Sequence, residues 1–255
     1  MIKKVCLVFL ALVVVLLAAA GVAWKLNGER WQQEYAAFRK TGAPVLMYHA
    51  VGLEEGADWP KTLIMKPELF EAHLQYLKEQ GYTIVTVAEL AERLQQGKSV
   101  DKYVALSFDD GYKNNHSVVL PLLQKYDAKG SFFVINRDIG DELHMNEQEI
   151  KELIAAGMEL GSHTYSHNPL AAIDEKYLVW ETDTSRYWLK KKFDGYIVRT
   201  LAYPNGSYND RVIDAAKKYG FYRALTGHVG VNTAATYQKA PFAGIFLRLF
   251  ADQGH

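Results

Sequence analysis

The chain has 255 residues, with 29 acidic and 29 basic side chains and so no formal net charge. That length suits one large domain or two small ones, and the charge balance argues against steering toward nucleic acid or another polyanion. The only cysteine, Cys6, excludes an intrachain disulfide and a thiolate metal cluster.

In chain order, Lys3 and Lys4 precede an almost unbroken apolar run over residues 5–24. Roughly 20 apolar residues cross a bilayer as a helix. Residues 1–26 therefore read as an N-terminal membrane anchor, with the positive end cytoplasmic and the rest of the chain outside. The small residues 18–21 also resemble a signal-peptidase site, which makes a cleaved signal peptide the alternative. The expected location is the cell membrane, single-pass with an extracytoplasmic domain, or secretion after cleavage. Residues 27–42 read as a polar juxtamembrane helix or linker, and residues 43–255 as the main domain.

That domain alternates. Residues 45–48 predict a buried strand ending at His49, and 50–66 a loop. Helices are predicted over 67–80, 87–96, 117–126, 147–156, 175–192 and from Asn209 to 219, several closed by glycine. Strands are predicted over 82–87, 103–108, 130–135, 158–161, 196–202 and 221–225. Asn146 with Glu149 has the spacing of a capping pair. Strands alternating with helices over short connections indicate a parallel α/β domain, and six or seven such units suit a barrel-like ring. No dinucleotide-binding glycine pattern and no P-loop is present.

Two stretches carry chemistry. Asp109 and Asp110 end the 103–108 strand and precede Gly111. Side chains alternate faces along a strand, so both carboxylates reach one cavity only where the chain leaves the strand, as glycine permits. Some fifty residues on, His163 and His167 are spaced i,i+4 at the end of another strand, a spacing common among metal ligands but without the glutamate of the metalloprotease motif. Two histidines and one carboxylate leave coordination positions open for water and a substrate oxygen, and the second carboxylate is placed to act as a base. The set suits a divalent metal, foremost Zn2+, with Co2+, Ni2+, Fe2+ or Mn2+ also compatible. These residues predict a metal-dependent hydrolase. His49, at the end of the first core strand, sits where barrel active sites gather.

The stretches 46–49, 107–112, 161–167 and 201–206 together resemble the polysaccharide deacetylases, the NodB-homology carbohydrate esterases, over roughly residues 43–230. Within them the chain looks closest to the extracellular poly-N-acetylglucosamine deacetylase branch. The resemblance implies a distorted (β/α) barrel of the NodB-homology type, circularly permuted. It implies Asp109 as general base and Asp110, His163 and His167 as metal ligands. It also implies a backbone N–H at Asn205 as oxyanion donor, and a polysaccharide partner. With the permutation, His49 becomes the catalytic acid. Tyr112, Tyr165 and Tyr203 are candidates for the substrate groove or for barrel packing.

Hydrolysis of N-acetyl groups from extracellular N-acetylglucosamine polymers, exopolysaccharide or peptidoglycan, is the implied activity. An O-acetyl esterase acting on a glycan such as xylan, and a catalytically silent glycan-binding protein, are the alternatives. The last is motivated by Ala202, which stands where the family has an arginine that orders the base. Arg199 and Arg248 are the candidate replacements.

Overall fold

The computed structural model describes residues 42–52, 63–229, 232–233 and 245–250. Its strands are β1 (Gly42–Ala43), β2 (Val45–Tyr48), β3 (Ala50–Val51), β4 (Ile64–Met65), β5 (Thr83–Val85), β6 (Tyr103–Phe108), β7 (Ser131–Val134), β8 (Glu159–Ser162), β9 (Thr200–Ala202), β10 (Arg223–Val229), β11 (Asn232–Thr233) and β12 (Ile245–Phe250). Its α-helices are α1 (Pro67–Glu79), α2 (Val87–Gln95), α3 (Leu120–Lys125), α4 (Glu147–Ala155), α5 (Glu175–Val179), α6 (Ser185–Lys192) and α7 (Asp210–Lys218).

The main sheet is parallel throughout, in the order β2-β12-β10-β9-β8-β7-β6, and β6 pairs again with β2. β5 lies along the first half of β6, where β7 lies along the second. The result is an α/β fold around a curled, barrel-like sheet. Strands such as β6 and β7 are almost wholly buried, as expected of parallel strands covered by helices. Outside the sheet, Phe108 stacks on Tyr48 at 5.3 Å and on Phe132 at 4.8 Å, which ties β2, β6 and β7 together just before the Asp109 turn. Inside it, Val45, Ala105, Phe133, Ala202 and Leu225 pack together. Phe133 fills this interior because its partner across the ladder is Gly161, where a Cβ would lie 2.3 Å from the ring.

The N-terminal end of the sheet is closed by polar chemistry. The buried Glu159 carboxylate accepts from Ser131 Oγ at 2.7 Å, Thr200 Oγ1 at 2.5 Å and the Ala88 N–H at 2.9 Å. Arg223 Nη2 lies 4.0 Å from it. These residues begin β7, β8, β9 and β10, so the network pins the strand starts at the end opposite the acidic turn.

Several expectations are revised. The 50–66 stretch, read as loop, holds the strands β3 and β4, which pair in parallel. The helix read over 117–126 begins with a π-helical turn, Asn115–Val119, and Pro121 takes the proline-tolerant first turn of α3 that follows. The helix read over 175–192 is interrupted by a π-turn, Trp180–Thr184. β12 lies beyond the last strand read from sequence, yet joins β10 to β2. The Asn146 capping box forms as spaced, with both bonds at 2.8 and 3.0 Å. The membrane reading is corrected. Among the described residues no helix is long and apolar enough to cross a membrane, so membrane anchoring, a membrane partner and single-pass location find no support. The 5–24 run on which they rested lies outside the described residues, as do residues 27–41.

Candidate metal centre

β6 delivers Asp109 and Asp110 to the C-terminal edge of the sheet. The Asp109 N–H still bonds the Tyr48 carbonyl at 3.0 Å, so the turn starts in register with β2 and with His49 just beyond it. Asp110 then adopts φ 71° and Gly111 φ 83°. A side chain at 111 would place Cβ 2.9 Å from Val134 Cγ1, so glycine is required both by conformation and by space. The neighbouring loop is also left-handed at Thr164 (φ 70°) and His167 (φ 62°), and Asn205 follows at φ 54°. Such non-glycine conformations each cost on the order of 1 kcal/mol and collect where the surrounding structure enforces a functional geometry.

Strain and register converge on one cluster. Asp110 Oδ1 lies 3.4 Å from His163 Nε2 and 3.5 Å from His167 Nε2. The two imidazole centroids are 4.7 Å apart. Ligands about 2.0–2.1 Å from a tetrahedral zinc are about 3.3 Å from one another, which is the spacing observed. Asp110 Oδ1 is buried and forms no hydrogen bond within the protein, which fits a metal-ligating oxygen. The three residues thus form a site able to chelate a divalent metal.

The second sphere was not legible in the sequence. His163 Nδ1 lies 2.8 Å from the Ala202 carbonyl. A carbonyl only accepts, so Nδ1 carries a proton and Nε2 is the ring nitrogen left to face Asp110 and a metal. The loop between the histidines is held by Glu181, buried in the π-turn. Its carboxylate accepts the N–H groups of Tyr165 and Ser166 at 2.9 and 2.8 Å, the Ser166 hydroxyl and the Asn168 amide at 3.0 Å. Ser162, Ser185 and Asn136 form a second buried chain, in which Ser162 Oγ caps the Thr164 N–H at 3.0 Å. Glu181 stands eighteen positions after His163, and only the fold makes it a neighbour.

Electrostatics divide the cluster. Burial pushes the Asp110 carboxyl up, but His163, His49 and His167 together outweigh it and hold it well below the usual carboxylate range. Burial lowers His163, yet the Asp109 and Asp110 carboxylates overcome this and raise it above an ordinary imidazole. His167 is lowered, first by burial and then by His163. Asp109 is buried, with Oδ2 4.0 Å from His163 Nε2. His49 is half-buried and close enough to act on Asp110.

The remaining candidates separate. Tyr112 is buried and stacks on His144 at 5.1 Å, with its hydroxyl held protonated by burial and by Asp110. Tyr203 is fully buried against Tyr208, and its hydroxyl has no partner. Tyr165 is half-exposed and meets the edge of Trp180 at 5.1 Å. Asn205 is exposed on the turn after β9. Arg199 is exposed and stacks over Tyr222, 5.4 Å from its ring, so it does not take the place of the missing arginine. The side chain of Arg248 lies outside the described residues.

Comparison with known proteins adds the decisive observation. The polysaccharide deacetylase family profile matches residues 96–224, just over half of the chain, and takes in both motifs. This chain belongs to the polysaccharide deacetylase family. It is 33% identical over 191 residues to YxkH of Bacillus subtilis, assigned by inference to the polysaccharide deacetylases, covering 73% of this chain and 65% of YxkH. It is 28% identical over 174 residues to a poly-beta-1,6-N-acetyl-D-glucosamine N-deacetylase of Staphylococcus aureus, covering 63% of this chain and 60% of the other. The chain therefore spans less than two thirds of either curated relative. Among solved structures, the Streptococcus pyogenes deacetylase PplD, in complex with acetate, superposes with a TM-score of 0.75 at 28% identity, covering 84% of this chain and 94% of PplD.

Proposed function

We propose that this chain is a metal-dependent hydrolase that removes N-acetyl groups from N-acetylglucosamine-containing polysaccharide. Within the family we place it nearest the poly-N-acetylglucosamine deacetylases, a reading supported by the Staphylococcus aureus relative. The observation that carries the proposal is the Asp110–His163–His167 cluster with a second buried carboxylate, Asp109, directly beside it.

The cation, foremost zinc, would supply Lewis acidity toward the acetamide oxygen and toward water. Asp110, His163 and His167 would hold it. Asp109 accepts the proton of the attacking water. The backbone N–H of Asn205 donates to the oxyanion. His49, protonated, donates to the departing amine, leaving acetate and a glucosamine unit. Because His49 precedes the other motifs in the chain, the barrel is circularly permuted relative to the usual family order, and the catalytic domain begins near residue 43.

The test measures bound metal and acetate release together on N-acetylglucosamine oligomers, peptidoglycan and acetylxylan. Asp109→Asn is expected to keep the metal and lose acetate release by about 10²–10⁴-fold, the usual worth of a general base. His163→Ala is expected to lose both. Unchanged release in both variants sinks the mechanism, and release from acetylxylan alone replaces the amidase reading with an esterase.

A further inference from the structure

Two residues of the His163–His167 loop, Tyr165 and Ser166, line a cavity of about 470 Å³ that the chemistry above does not use. Its walls include Tyr165, Asn168, Lys176, Tyr177, Trp180 and Glu181. The volume is in the range of small-ligand sites, about 300–1,000 Å³. Trp180 is 48% exposed and Tyr177 52% exposed, and the two rings stand around one cavity rather than singly. Clustered exposed aromatics mark binding surfaces, whereas scattered ones are ordinary. Tyr165 sets its edge against Trp180 at 66° between ring planes, which fixes the indole orientation.

The polar groups narrow the ligand. Glu181 is buried, and both of its carboxylate oxygens are spent on the donors of residues 165–168 rather than offered to a ligand. The Asn168 amide N–H groups point to Ser166 Oγ and Glu181, which leaves its carbonyl oxygen as an acceptor. Lys176 supplies a donor, its ammonium 4.6 Å from the Tyr177 ring centroid. Among the described residues no arginine lines the cavity, so they offer no bidentate anion recognition there. Flat apolar faces rimmed by single donors and acceptors match the face and the equatorial groups of a neutral pyranose.

We infer that this cavity is a sugar subsite: Trp180, with Tyr177 and Tyr165, holds a pyranose unit of the polymer next to the unit being deacetylated. The inference rests on the polysaccharide reading above and deepens it. The link to the metal centre is covalent, because Tyr165 and Ser166 lie between the two histidine ligands. The π-turn makes both uses possible, since it presents Trp180 outward while Glu181 beside it turns inward.

The experiment titrates a hexasaccharide of β-linked N-acetylglucosamine into the metal-loaded protein and separately follows acetate release from it. Trp180→Ala is expected to weaken hexasaccharide binding and raise KM about tenfold, as truncation of a central aromatic anchor does, while bound metal per chain stays unchanged. Trp188→Ala, an exposed tryptophan on α6 outside the cavity, serves as control and is expected to match the wild type. Equal hexasaccharide affinity in wild type and Trp180→Ala overturns the inference, even if acetate release stands. Trp180-dependent binding without acetate release overturns the deacetylase reading and leaves the subsite in place. No binding by the wild type overturns both.

Discussion

At the residue scale the site is governed by where single protons and lone pairs sit. The Ala202 carbonyl determines the His163 tautomer, and so a residue that lacks the family's arginine still serves the cluster through its backbone. Glu181 has a similar indirect role. Glu181→Ala removes the acceptor of four donors around residues 165–168, and is expected to weaken metal binding by about 10–100-fold, the usual cost of losing an outer-shell partner. Glu181→Gln, which keeps one acceptor oxygen, is expected to recover part of that loss. Competition titration with a metal indicator measures both.

The same scale sets the pH response. A metal displaces the proton from each imidazole, and His163 in the metal-free protein holds its proton to higher pH than an ordinary histidine. Metal affinity is therefore expected to rise with pH across the range above about 6.5, the ordinary histidine value, and each binding event to release protons. Calorimetry in buffers of different ionisation enthalpy reads the proton release. A pH-independent affinity contradicts the assignment of His163 as ligand.

At the scale of elements, the decisive devices are strand exits. β6 carries Asp109 in the last ladder bond and Asp110 beyond it, and the left-handed pair Asp110–Gly111 turns both carboxylates to one side. Gly111→Ala would add strain at φ 83° and a contact 2.9 Å from Val134 Cγ1. It is expected to destabilise the fold by about 1–3 kcal/mol and to reduce metal binding, measured by thermal unfolding with and without zinc. A variant as stable as the wild type refutes this account of the turn.

At the scale of the molecule, the two ends of the curled sheet have separate tasks. The C-terminal edge gathers the strained, charged site. The N-terminal end is pinned by Glu159, and each strand residue between Glu159 and His163 adds about 3.3 Å of separation. Glu159→Ala leaves the buried Ser131 and Thr200 hydroxyls and the part-buried Ala88 N–H without their acceptor. Its cost is expected to be on the order of 3–5 kcal/mol in chemical denaturation, with metal bound per folded molecule unchanged. Loss of metal from the folded fraction would show that the two ends are coupled.

The alternating α/β pattern, the family, and the candidate ligands Asp110, His163 and His167 are legible in the chain alone, because each rests on local information: periodicity, glycine placement and short spacing. Adjacent carboxylates at a strand exit can be read from six residues. The sequence also suggested a membrane anchor that the described structure does not carry, since hydropathy reports only that a run could cross a bilayer. Folding alone reveals that β12 joins β10 to β2, that Ala202 orients His163, that Glu181 clamps the ligand loop and that Trp180 lines a cavity. Those contacts join residues far apart in the chain through backbone atoms and through a π-turn that shifts helical register. Neither leaves a spacing in the sequence.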